Sequence, residues 1–227
     1  MSGKSVVVTG GFGALGRATV RAFLEAGWRV AAVDLGEAPE GTPDGVLAIG
    51  GVDLADLDSA RAAMDKAAGA HGGLHALVNV AGGFRWQTLE DGDLSGWSAL
   101  HRMNVTTAAT ASKAALPALK ASGAGAIVNV AAAAARRAAA GMGAYAASKA
   151  GVLRLTESLA EELKDQGVRV NAVLPTIIDT PANRADMPGA DFGRWVQPAD
   201  LAATLLFLAS DASRAITGAE LLVAGRV

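Results

Sequence analysis

Tyr145 and Lys149, in the segment "YAASK", are four residues apart and would share one face of a helix. A tyrosine with the ordinary pKa of about 10 is a poor acid or base at neutral pH. A lysine cation one turn away stabilises the phenolate and draws that value toward a working range. The pair can therefore exchange a proton with a reacting oxygen or nitrogen. Tyr145 is the only tyrosine in the chain. Alone, Tyr-x-x-x-Lys is equally well explained by an exposed helix face, and it gains meaning only beside a place for a redox cofactor.

Such a place begins at "TGGFGALGRA". Gly11-Phe12-Gly13-Ala14-Leu15-Gly16 satisfies G-x-G-x-x-G between a β-like run and a helical one. Glycines there permit a tight turn and close approach of backbone to a pyrophosphate, whose charge meets free N–H groups at the helix start. The turn as a whole, Gly10 to Gly13 with Leu15 and Gly16, is the expected phosphate cradle. Asp34 ends the next β-like run, 18 residues after Gly16. A carboxylate at that spacing accepts hydrogen bonds from ribose hydroxyls and repels a 2′-phosphate, so NAD(H) is expected rather than NADP(H). Asp53, with Leu54, is expected at the adenine edge, an N-cap role for Asp53 being the alternative. "NVAGG", from Asn79 through Ala81 and Gly82, has the small residues that let a chain pass close to a cofactor.

These residues need a scaffold that gathers strand ends. Short β-branched runs, "SVVVTG", "RVAAVD", "GVLAIG", "HALVNVAG", "AIVNVA" and "VRVNAVLP", alternate with helical stretches at Ala14–Ala26, Leu57–Ala70, Ser95–Lys120, Met142–Asp165 and Pro198–Ser210. Continuous apolar strands alternating with helices predict an α/β protein, a three-layer doubly wound fold with a parallel sheet covered on both faces. "AELLVAG" supplies a seventh strand. The 227 residues are 51% hydrophobic and 19% charged, with no Pro/Ser-rich linker, and read as one domain over 1–227. A net charge of −2 gives no reason to expect nucleic acid or an anionic membrane as partner. Without cysteine, and with His71, His75 and His101 lacking ligand spacing, no metal site is expected. The start carries no signal-peptide pattern, and no apolar run approaches the roughly 20 residues of a membrane helix. The expectation is a cytoplasmic protein.

The motifs "TGGFGALG", "NVAG", "MNV", "YAASKAGV", "VRVNAVLP" and "ITGAE" occur in the order found in short-chain dehydrogenases/reductases, and the chain resembles that family along its whole length. The resemblance implies a Rossmann-like domain with a seven-stranded parallel sheet, usually assembled as a homodimer or homotetramer. It implies that Tyr145 donates or accepts the substrate proton while Lys149 binds the nicotinamide ribose and tunes Tyr145. Asn104, in "MNV", would hold a helix kink and a water connecting Lys149 to solvent. Pro175, Ile178 and Thr180, in "LPTIIDTP", would hold the nicotinamide carboxamide.

Two departures stand out. Ala14 takes a place usually held by glycine. Ala132, thirteen residues before Tyr145, takes the place of the family's serine, and no Ser or Thr occurs from Ala131 to Tyr145. Losing one such hydrogen-bond donor commonly costs about 2.7–4 kcal/mol in enzymes built around it. One branch, the quinonoid dihydropteridine reductases, also keeps Tyr and Lys with a small residue for serine, and uses NADH. The segment "DTPANRADMPGADFGRW" and the pairing of "VAGGF" with Trp86 resemble that branch. Its electron-poor ring depends less on a dedicated carbonyl donor.

The substrate side is then a lid at about 182–197, punctuated by Pro188 and Gly189. Phe84, Trp86, Met187 and Trp195, with Ala132, are expected to wall a flat ligand, anchoring of the loop being the alternative for Trp195. Arg136 and Arg137 either meet a polar substrate edge or are solvated. The long apolar helices predict a helix-to-helix contact between copies. Two functions remain open at this point: an NAD(H)-dependent oxidoreductase acting on a carbonyl, imine or quinonoid ring, and an NAD(H)-binding homologue with little turnover.

Overall fold

The structure, a computed structural model, describes residues 3–227. Seven parallel strands form one sheet: β1 (Ser5–Thr9), β2 (Arg29–Val33), β3 (Val46–Ile49), β4 (Ala76–Asn79), β5 (Gly125–Val130), β6 (Val168–Pro175) and β7 (Glu220–Val223). Their order across the sheet is β3-β2-β1-β4-β5-β6-β7. β1, β4 and β5 are buried along their whole length, as strands covered on both faces must be.

The helices are α1 (Ala14–Glu25), α2 (Leu57–His71), α3 (Ser95–His101), α4 (Thr107–Ala121), α5 (Gly143–Leu163), α6 (Pro181–Asp186) and α7 (Pro198–Ala209). One core packs Phe23 of α1 and Leu201, Leu205 and Leu208 of α7 on one sheet face. The other packs Met64 of α2, Leu119 of α4 and Leu159 and Leu163 of α5 on the opposite face. Strand order reverses between β1 and β4, so the connections leaving these neighbours diverge and open a crevice at their C-terminal ends.

The helix expected over Ser95–Lys120 is broken. Between α3 and α4 lies one π-helical turn, Arg102–Thr106. Asn104 and the β-branched Val105, Thr106 and Thr107 are weak helix formers, and the Thr107 hydroxyl donates to the Met103 carbonyl at 2.7 Å. The alanine crossover runs extended through Ala132, makes one 3₁₀ turn at Ala133–Ala135 and reaches α5 at Gly143, with Met142 at the N-cap.

The lid segment is structured and tied down. Thr180 caps α6, Ile178 and Val196 form a β-bridge, and Asp179 holds Arg184 by two bonds of 2.5 and 2.7 Å. Trp195 is 5% exposed with its ring 4.8 Å from that of Phe192. It anchors the loop and does not wall a ligand, because burying so large an apolar ring outweighs presenting it to a cleft. Among the described residues no helix is long and apolar enough to cross a membrane, and no cluster of metal-ligating side chains occurs.

Candidate active site

The first turn is built from glycines for two separate reasons. Gly10 has φ +63°, and a Cβ there would lie 2.8 Å from the Ala81 nitrogen; on Gly16 it would overlap the Gly10 carbonyl oxygen. On Gly11 it would lie 2.8 Å from the Ala32 methyl. Packing alone therefore demands these three. At Gly13 an added Cβ meets nothing closer than 3.5 Å, so protein packing does not demand a glycine there. Gly13 is also the N-cap of α1 and offers no side chain to the first amides of the helix.

A groove of about 830 Å³ opens over this turn. Gly10, Phe12, Gly13, Leu15 and Gly16 line one side, Asp34, Asp53 and Leu54 a second, and Ala81, Gly82 and Thr180 a third. Asp34 accepts the Phe12 N–H at 3.0 Å on one oxygen and the Gly36 N–H at 3.2 Å on the other. Each oxygen keeps a lone pair for a further donor. No lysine or arginine is among the groove's lining residues, and Arg102 stands beside it, paired with the lining Asp53 at 2.6 Å. The cradle, the uncapped helix start and the strand-end carboxylate together fit a dinucleotide.

Four residues expected at this groove have other partners inside the fold as well. The Asn79 side chain is buried inside the fold, donating to Asn129 Oδ1 at 2.9 Å and Ser112 Oγ at 3.2 Å, because it lies beside Asn129 in the β4–β5 register. Pro175 is buried at the end of β6, paired with Val223. Ile178 is taken up by its bridge to Val196 and by the Asn183 amide on its carbonyl at 2.8 Å. Of "LPTIIDTP", only Thr180 reaches the groove among the three residues expected there. Asp53 lines it but does not cap α2; Asp56 does, accepting the Ser59 N–H at 2.8 Å. Asp53 instead bonds the Ala55 N–H at 2.9 Å and pairs with Arg102 at 2.6 Å.

Tyr145 and Lys149 lie one turn apart in α5. Lys149 is 6% exposed and donates to the Val130 carbonyl at 2.8 Å, with Nζ 6.0 Å from the centre of the Tyr145 ring. Burial pushes the Tyr145 hydroxyl up to about 12 and the Lys149 amine down to about 8. The lysine does not lower the tyrosine value in this state of the protein: at this separation desolvation outweighs attraction. Two of the three Lys149 donors remain for a ribose and for the phenolate as it forms.

Asn104, 1% exposed, occupies the π turn and joins three segments. Its Oδ1 accepts the Gly83 N–H at 2.9 Å; its Nδ2 donates to the Gly83 carbonyl at 3.1 Å and to Ser148 Oγ at 2.9 Å. Ser148 in turn donates to the Tyr145 carbonyl at 2.7 Å. A Cβ on Gly82 would lie 2.5 Å from Asn104 Oδ1 and 3.3 Å from Lys149 Nζ, so the "NVAGG" loop passes directly against these two side chains.

Phe84 sets its ring edge-on to Tyr145, centres 4.9 Å apart at 88°, and stays 51% exposed. Trp86 is 60% exposed, but its indole N–H is already given to the Ala140 carbonyl at 3.0 Å. Met187 ends α6 and is partly exposed. Ala132 is buried with extended backbone and brings no hydroxyl. Arg136 is drawn to Glu220 at 3.1 Å, which Arg154 shares at 3.3 Å, while Arg137 is exposed. Arg136 is thus engaged on β7 rather than with a substrate.

One supporting group escaped the sequence reading. Asn129 donates to Thr156 at 2.9 Å and so seats α5 on the sheet. Its signal is a polar residue repeated inside apolar runs, "ALVNV", "AIVNV" and "VRVNAV", which buried strands tolerate only when a partner waits.

Comparison with known proteins places this geometry among relatives. Residues 11–225 match the family described as Enoyl-(Acyl carrier protein) reductase. The chain is 34% identical over 240 residues to 2,5-dichloro-2,5-cyclohexadiene-1,4-diol dehydrogenase LinX of Sphingobium indicum, covering 99% of this chain and 96% of that one. It is 37% identical over 240 residues to cis-4-hydroxycyclohexanecarboxylate dehydrogenase of Sinomonas cyclohexanicum, covering 98% and 95%. A solved short-chain type dehydrogenase/reductase from Mycobacterium ulcerans superposes with a TM-score of 0.90 at 26% identity, covering 98% of this chain and 89% of that chain.

Proposed function

This chain belongs to the short-chain dehydrogenase/reductase family, and we propose that it is an NAD(H)-dependent oxidoreductase for a small cyclic carbonyl, imine or quinonoid substrate, with no serine in its proton-transfer step. The carrying observation is the Tyr145–Lys149–Asn104 constellation kept whole beside Ala132. A protein that only bound a dinucleotide would need Lys149 for the ribose. It would not need a single tyrosine beside it, nor a buried Asn104 clamping the adjoining loop.

The first turn would hold the pyrophosphate, Asp34 the adenosine ribose, Asp53 and Leu54 the adenine, and Ala81, Gly82, Thr180 and Lys149 the nicotinamide half. Bound NAD(H) supplies or accepts the hydride. Tyr145 moves the proton at its hydroxyl oxygen, and the Lys149 cation stabilises the phenolate left behind. Phe84 covers the Tyr145 ring, keeping water from one side and presenting a flat apolar wall. Without a second hydroxyl, substrate orientation falls to that wall and to Met187. A ring already short of electrons accepts hydride with less help at its oxygen or nitrogen, which favours a quinonoid dihydropterin.

Two relatives are named for dehydrogenation of ring alcohols, which supports alicyclic secondary alcohols as a second reading. The test follows NADH loss with quinonoid dihydropterin generated in the cuvette, beside cyclic ketones, and NAD⁺ reduction with the matching alcohols. Rapid turnover of the pterin alone upholds the serine-free reading; turnover of alcohols alone transfers it to the second. NADH binding without turnover on any substrate defeats both. Ala132→Ser is expected to change pterin turnover less than about twofold. A gain on ketones of about 10²-fold or more would mean the scaffold still keeps a serine's place.

A further inference from the structure

The loop after β4 meets the crossover before α5 at a contact that proton transfer does not use. Trp86 donates its indole N–H to the Ala140 carbonyl at 3.0 Å, and the Gln87 N–H donates to the Gly141 carbonyl at 2.9 Å. Gly141 has φ +74°, and a Cβ there would overlap the Trp86 ring. The indole therefore lies on bare backbone, where only glycine fits. On the same loop Phe84 rests against Tyr145, and Gly83 is gripped at both its N–H and its carbonyl by Asn104. The run 83–87 is fixed at three points: the π turn, the Tyr145 ring and the start of the α5 approach.

The crossover needs such an outside tie. From Ala131 to Gly141 its only polar side chains are Arg136 and Arg137, and Arg136 is turned to Glu220 on β7. Its own turns are closed by three backbone bonds, Ala135 N–H to the Ala132 carbonyl, Arg136 N–H to the Ala133 carbonyl and Met142 N–H to the Ala139 carbonyl, with nothing from a side chain. Apart from the Arg136–Glu220 pair the tract is tied only through its backbone, and Trp86 and Gln87 engage that backbone five and four residues before Tyr145.

We propose that Trp86 is a positioning residue whose indole N–H latches the alanine crossover, so that the first turn of α5 presents Tyr145 beneath Phe84. The inference rests on the Tyr145 chemistry proposed above, but the contact itself can be tested without it.

The experiment measures amide hydrogen exchange, NADH affinity and turnover for the full chain and for Trp86→Phe, which keeps a ring and removes the N–H. Gly141→Ala, which drives the ring off its seat, serves as the second variant. In both, exchange over residues 138–145 should quicken several-fold while α1 and the strands keep their protection. NADH affinity should stay within about twofold, and kcat should fall about tenfold or more, the scale of a small misplacement of a reacting group. Unchanged exchange over 138–145 in both variants overturns the latch. So does a general rise in exchange accompanied by loss of NADH affinity, which would make Trp86 a stability residue. A wild-type protein inert on every substrate would count against the proposed function, while the exchange result would still decide the latch.

Discussion

Lys149 is held inside the protein at a free-energy cost, and that cost is measurable. Its amine sits at about 8 in the folded chain against an ordinary 10.5, with burial as the cause. Below pH 8 both folded and unfolded chains carry the charge, and the folded state bears a burial penalty of about 3 kcal/mol. Between 8 and 10.5 the unfolded chain holds a proton that the folded chain lacks, so this contribution makes stability rise with pH across that window. Lys149→Met should therefore stabilise the free protein by about 1–3 kcal/mol at pH 7, less than the full penalty because the Val130 carbonyl loses its donor. The gain should shrink toward pH 10.5; denaturant melts at the two pH values check this. For the active protein, kcat/KM in the reductive direction should fall above pH 8, as the cation that stabilises the phenolate is lost. Tyr145→Phe should abolish turnover and spare NADH affinity; wild-type rates in that variant would remove Tyr145 from the mechanism. The placement of Tyr145 and Lys149 one turn apart in α5, and of the glycine turn ahead of α1, was legible because it is set by spacing along one element. Asn79 and Trp195 were not, because the face a strand or loop residue turns inward is decided by neighbours distant in sequence.

At the scale of elements, the π turn is the feature that periodicity hides. Apolar spacing over Ser95–Lys120 reads as one helix, since one extra residue shifts the pattern only slightly. The physical clue was the cluster of poor helix formers at Asn104–Thr107, and the return on the irregularity is Asn104 itself. Buried and bonded to Gly83 and Ser148, it couples the β4 loop to the N-terminal part of α5. Asn104→Ala would leave the Gly83 N–H and carbonyl without their partner in a site of low exposure. The expected cost is about 2–4 kcal/mol in stability, read as a lowered urea midpoint with an unchanged slope. Turnover should fall further than the remaining folded fraction explains. An Asn104→Ala protein as stable and as active as wild type would reduce the π turn to a local accident of weak helix formers. The lid illustrates the opposite limit: Pro188 and Gly189 marked a loop, but the Asp179–Arg184 pair and the seat of Trp195 join residues that no local pattern relates.

For the whole molecule, the doubly wound sheet was legible because burial on both faces forces uninterrupted apolar strands, and seven such runs occur in order. What a single chain does not account for is the apolar surface left over. β7 ends the sheet as an open edge, with Leu221 and Leu222, adjacent and so pointing to opposite faces, both exposed. Phe207 on α7 is exposed too. A second set, Trp97 on α3 and Leu94 at its N-cap, lies on a different part of the chain. One self-complementary patch closes a dimer; two separate ones close a tetramer with two kinds of interface. The resemblance-based expectation of a homodimer or homotetramer thus takes a definite form: light scattering should read a tetramer, and Leu222→Lys should halve it to a dimer while leaving NADH affinity unchanged. The lysine adds charge where β7 is uncovered and touches none of the groove residues. A wild-type monomer, or a Leu222→Lys protein of unaltered mass, would show that the β7 edge is tolerated in water because the strand is only four residues long.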